Sequence, residues 1–206
     1  MKRKPCPKTT QRDEKYEDVS MKSAASIEIY AYWNALRGNR AAPLRNEIEP
    51  NRLRHLLPDL FILSEGSDLS PVFRLTGTRL YNLFGRELRE TPFSDLWNAE
   101  TAQYASRIAH GVMQHELPVL FDIAANSING YPATHFEMLL LPLKAEDHFP
   151  SRLLGALIPD RKVEEFSDPF EPLVLKKSRL LQLEPQSSPI LGNRTVTPSA
   201  SMDARP

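Results

Sequence analysis

Cysteine is nearly missing from this 206-residue chain, with Cys6 the only one. A single thiol makes no internal disulfide and no thiolate metal cluster within one chain, which fits a reducing compartment. Glycine is scarce at 8 residues against 18 prolines, a balance that points to extended tails and sharp breaks rather than flexible loops. No apolar run reaches the roughly 18–20 residues of a membrane span. The opening "MKRK" is not followed by an apolar stretch, so no secretory signal is expected and the chain is assigned to the cytoplasm. Net charge is also absent: Lys+Arg and Asp+Glu both number 26. No global field then draws the protein to nucleic acid or to a membrane surface. Motifs of chemistry are missing too: there is no CxxC, no HExxH, no His pair at i, i+4, and no G-x-S-x-G elbow. "GTRLYNLFG" holds two glycines in neither Walker nor dinucleotide spacing. These gaps argue against an enzyme.

What is present is a globular composition, 41% apolar and 25% charged, with enough length for one domain and its trimmings. Residues 1–22 are polar and charge-dense and read as a disordered arm. In "SAASIEIYAYWNALRGNR", Ile29, Tyr32, Trp33 and Leu36 fall at i, i+3, i+4 and i+7, one face of an amphipathic helix, and Gly38 suits its end. Pro50 suits the first turn of a short helix that Pro58 stops, and "DLFILSE" follows as a strand. "VFRLTGTRL" alternates, with Phe73, Leu75 and Gly77 on one face and Arg74, Thr76 and Thr78 on the other. "NAETAQYASRIAHGVMQHELP" reads as the long central helix, with Asn98 as its N-cap and Tyr104, Ile108 and Val112 on its buried side. "VLFDIAA", "THFEMLLLPLK" and "RLLGALIP" form a predicted antiparallel meander, with Asn129-Gly130 as a hairpin turn. The domain is thus placed at 23–160. Residues 161–184 read as a weakly structured extension, in which "LVLKKSRLLQL" suits a short helix or a strand. Residues 185–206 read as a disordered tail.

Two strands, short helices, one long helix and a three-stranded meander give an α+β fold. The expected architecture is a five-stranded antiparallel sheet, with the short helices and the long helix on one face and an amphipathic helix placed before it. This is the layout of the PAS domain. "YAYWNALRGNRAAPLRNEIEPNRLRHLLPDLFILS", "FRLTGTRLYNLFGRELRETPFSDLW" and "LLLPL…RLLGAL" closely resemble a family of single-domain bacterial PAS proteins, found mainly in alphaproteobacteria, over about Ile27 to Pro159. The resemblance implies a PAS fold and a sensory or signalling role, with no attached output domain and no established ligand.

A PAS cavity can hold haem, flavin, a covalent chromophore or a metabolite. Thiol-linked chromophores are excluded because Cys6 lies in the arm. Flavin held without a bond stays open. Haem needs an axial ligand, often His. Among His55, His110, His115, His135 and His148, His115 falls beside Tyr104 and Ile108 on the helical projection and is the inward-facing candidate, though a cation at a helix end gains from the dipole without any ligand. Phe84 and Trp97 are candidates for the cavity wall, or plain core. Arg74 is either an anion clamp within the cavity or ordinary surface. The expected role is that of a non-enzymatic signalling adaptor, contacting proteins such as two-component regulators and possessing a homodimer interface at Ile29, Tyr32, Trp33 and Leu36. On that reading Trp33→Asp separates the dimer and spares the core. The alternative is a sensor whose cavity ligand is the primary input.

Overall fold

The computed structural model of the chain describes residues 21–128, 133–144, 150–160 and 169–183. Cys6, nearly all of the expected arm, the tail, His148 and the Asn129-Gly130 turn lie outside the described residues.

Helix α1 (Ala24–Arg37) leads through three single-turn 3₁₀ helices, Arg45–Glu47, Pro50–Leu53 and Leu57–Asp59, into strands β1 (Leu60–Glu65) and β2 (Pro71–Thr76). Helix α2 (Thr78–Phe84), a 3₁₀ turn (Phe93–Leu96) and helix α3 (Ala102–His115) follow. The chain then runs through β3 (Val119–Ala125), β4 (Thr134–Leu143), β5 (Arg152–Pro159) and β6 (Val174–Leu180). These strands form one sheet in the order β2-β1-β5-β4-β3-β6, with every pairing antiparallel. The expected α+β layout is present, with six strands instead of five. The sixth comes from the segment taken as a weakly structured extension and pairs with the free edge of β3, from Val119↔Leu180 to Ala124↔Val174.

Strand side chains alternate between faces, and here the alternation separates two cores. Phe61, Leu63, Phe121, Phe136, Met138, Leu140, Leu153 and Leu157 pack under α2, the Phe93–Leu96 turn and α3. Leu60, Leu120, Leu139, Leu141, Leu143, Leu154, Ala156 and Ile158 pack against Ile29 and Trp33 of α1. The helices are therefore not all on one side. The first face is termed inner below, and the face under α1 outer. Strand β4 is buried on both, which explains why "MLLLPL" shows no alternation of polarity.

The inner face closes with a strap. Phe170 N–H donates to Leu83 O at 2.8 Å, and Leu173 N–H donates to Leu96 O at 2.7 Å. Both side chains are buried in the inner core, and the Phe170 ring meets Phe136 edge to face. The chain after the meander thus crosses the helical layer before entering β6.

The start of α1 is held from the sheet. Ser23, the residue before the helix, makes no side-chain cap. Buried Glu137 on β4 instead anchors the two residues that lead into the helix, accepting from Lys22 N–H at 2.6 Å and Ser23 N–H at 3.1 Å. Glu137→Ala is expected to destabilise the protein by about 2 kcal/mol, as for loss of hydrogen bonds to a charged group. Denaturant melts read the global loss, and faster hydrogen exchange at Lys22 and Ser23 localises it.

Candidate functional site

The inner wall is built from aromatic rings in sequence. Phe61 contacts Phe73 and Phe93 at centroid distances of 5.5 and 6.4 Å. Phe93 meets Trp97 at 5.5 Å and Trp97 meets Phe121 at 5.7 Å, both edge to face. Such rings at these separations are favourably packed. Room for Phe61 comes from Gly155, its register partner on β5: a Cβ there would lie 2.0 Å from the Phe61 ring. One polar atom in this wall has no partner among the described residues, the indole Nε1 of Trp97.

Trp97 therefore belongs to the wall, and Phe84 packs at its margin, half-buried at the end of α2. Arg74 does not: it is exposed and pairs with Glu90. The reason is a bulge. Ile62 pairs with Leu75 and Leu63 with Phe73, so Arg74 is an extra residue on β2. Phe73 then faces inward while Leu75 turns to the outer face, against the strict alternation expected. His115 does not reach the inner wall either. At about 100° per residue from Tyr104, the buried residues Ala105, Ala109, Val112 and Met113 lie between about 80° and 180°. His115 lies near 20°, outside that arc, and is exposed. Tyr104 is exposed as well, its hydroxyl 3.4 Å from Ser178 Oγ of β6. The alanines let α3 lie close to the sheet, and the tyrosine rides its rim. His55 and His135 are exposed, and His110 is turned to Glu65 at 3.1 Å. Among the described residues no group of three or more His, Cys, Asp or Glu is placed to hold a metal ion.

The proposed docking residues divide. Ile29 and Trp33 are fully buried in the chain's own outer core, and Trp33 Nε1 donates to Pro142 O at 2.8 Å. Tyr32 and Leu36 are half-buried, with the Tyr32 hydroxyl accepting from Glu49 N–H at 2.7 Å. The stripe that sequence periodicity offered to a partner is the one α1 presents to β4 and β5. Its outward side carries Ala24, Ile27, Ala31 and Ala35, all exposed, with exposed Glu28 beside them and paired with His55.

Beside α1, at the β1–β2 end of the outer face, lies a cleft of about 650 Å³. Its floor is Leu53, Leu60, Leu143 and Leu154, all nearly fully buried, and its rim is Leu57, Leu75, Arg45 and Arg54. Gly77 closes one end, where its hydrogen atoms meet the carbonyl oxygens of Leu57 and Pro58, 2.3 and 2.2 Å from where a Cβ would stand. Nearby acids are already engaged. Arg40 and the Leu44 N–H hold Glu47 below its ordinary pKa. Asp59 pairs with Arg79, and burial raises its carboxyl above the ordinary range despite the lowering by that guanidinium. No sequence signal announced this cleft, because its walls come from segments far apart in the chain.

The profile of a PAS-domain family matches residues 21–158. The chain belongs to the PAS-domain family. The match runs from the start of α1 to the end of β5, so the PAS domain comprises both walls described above, while the strap and β6 lie beyond it. Among curated proteins the PAS chain has no match. Among its described residues no helix is long and apolar enough to cross a membrane. Membership makes the protein a sensory or signalling module in general terms, and no catalytic domain is identified in it.

Proposed function

We propose that the protein is a non-enzymatic signalling adaptor, a PAS module that acts by contacting two-component proteins in the cytoplasm. Family membership supports the signalling role. The observation that carries the adaptor reading is α1, a flanking helix fixed to the sheet by Ile29 and Trp33 with a second, exposed side at Ile27, Ala31 and Ala35. A rigid helix with an exposed, largely apolar edge flanked by Glu28 suits helix-to-helix docking, on a kinase or on a second copy. The homodimer interface moves accordingly, from Trp33 to this outer edge. The test adds purified protein to purified histidine kinases of the host and follows autophosphorylation and phosphotransfer. A changed rate with one kinase, lost in Ile27→Glu/Ala31→Glu while the thermal melt is unchanged, is expected. No rate change with any kinase would sink the reading. Light scattering of the same variant reads whether the outer edge also holds a dimer.

A second reading, ligand sensing at the inner wall, is favoured by one observation: the unpartnered Nε1 of buried Trp97. A buried N–H without an acceptor is disfavoured, and a ligand oxygen would satisfy it. An absorption spectrum of native protein and mass spectrometry of the denatured supernatant test this. A stoichiometric compound that is lost in Trp97→Phe supports it, and an empty protein counts against it.

A further inference from the structure

The outer cleft is explained by neither reading. Its leucines belong to the outer core, yet α1 packs chiefly on β4 and β5, and the bulge at Arg74 adds Leu75 to the part of that face beyond it. Leu75 is left 53% exposed and Leu57 39% exposed, above a floor that is nearly dry. The charges around it are unbalanced. Arg40, Arg52 and Arg79 each pair with a carboxylate. Arg45 and Arg54 have no ion-pair partner among the described residues, and none of the residues lining the cleft is acidic.

We propose that this cleft binds an amphipathic organic anion, an acyl-type carboxylate whose chain lies on the leucine floor and whose head is held by Arg45 and Arg54. The volume of about 650 Å³ is that of a small-molecule site, within the usual range of roughly 300–1,000 Å³. Guanidinium groups match carboxylates in geometry and charge. A polyphosphate would leave the apolar floor unused, and a neutral apolar compound would leave both cations unused. A single anionic head on an apolar body uses all of it.

The test is calorimetric titration of delipidated full-length protein with octanoate, hexanoate and 1-octanol. Octanoate is expected to bind saturably at one site. Hexanoate should bind roughly fifteenfold more weakly, at about fourfold per methylene removed from the floor. 1-Octanol should bind at least about tenfold more weakly than octanoate, for want of the charged head. Arg45→Glu/Arg54→Glu changes only exposed side chains and should abolish the preference for octanoate over 1-octanol. Leu75→Asn should weaken both. Absence of saturable octanoate binding overturns the proposal, as does equal affinity for acid and alcohol, or a preference unchanged by the charge reversal. A dimer that Leu75→Asn dissociates, together with no octanoate binding, would assign the cleft to a second copy and overturn it likewise. The measurement needs no kinase, so its failure and failure of the adaptor reading are separate events.

Discussion

Trp33→Asp is expected to unfold the chain, not to release folded monomers from a dimer. The indole is fully buried between α1 and the outer face of the sheet, stacked on Tyr30 at 5.9 Å and bonded to Pro142 O. Truncating a buried tryptophan typically costs about 3–5 kcal/mol. An aspartate adds an unpaired carboxylate in an apolar site, which is costlier still. The sum rivals the whole stability of an ordinary domain, about 5–15 kcal/mol. Far-UV circular dichroism and a thermal melt at low protein concentration check it. A variant that keeps a cooperative melt near the wild-type temperature would return Trp33 to the surface.

Gly155→Ala should also be strongly destabilising, although it adds one methyl. The new Cβ would stand within 2.0–2.6 Å of three Phe61 ring atoms. That ring has no free direction to swing, with Phe73 and Phe93 against it and β5 beneath. Overpacking of a tight core typically costs about 1–3 kcal/mol, and the upper end is expected here. Phe61→Leu in the same chain should recover part of the loss, because the smaller side chain vacates the contested space. A double-mutant cycle by urea denaturation measures the coupling. Additive effects would mean that the two positions do not share that space.

Much of this architecture was legible in local pattern. Strands β3 and β5 stand where "VLFDIAA" and "RLLGALIP" placed them, since each is a short apolar run between breakers. The face of α1 was also legible, but its destination was not: burying Ile29 and Trp33 against a sheet or against a partner requires the same periodicity. On α3 a projection anchored on Tyr104, a residue equally at home on a rim, passes over the buried face of Ala105 and Ala109 and turns His115 inward. For β6 the choice between helix and strand stays open in the sequence, because "VLKKSRL" carries three cations and no clear period. The segment becomes a strand through the free edge of β3 and an ion pair of Arg179 with Asp122 at 3.1 Å. The bulge at Arg74 and the outer cleft were illegible for a related reason, since both arise from register between distant segments. Of the candidate site residues, Trp97 sits in the inner wall, Phe84 at its margin, and Arg74 and His115 on the surface.

The strand order has a kinetic consequence. β1 pairs with β2, and β3 pairs with β4, but the two halves of the sheet meet only through β5, which lies between β1 and β4. During synthesis each half must wait, with an unpaired edge and leucines in water, until residues 152–159 emerge from the ribosome. β5 then closes a connection of about ninety residues back to β1, and closures of that span are slow. Folding should therefore be gated by the arrival of one late strand. In the interval, the β1 and β4 edges, together with the β3 edge that still awaits β6, are open to mispairing with another nascent chain.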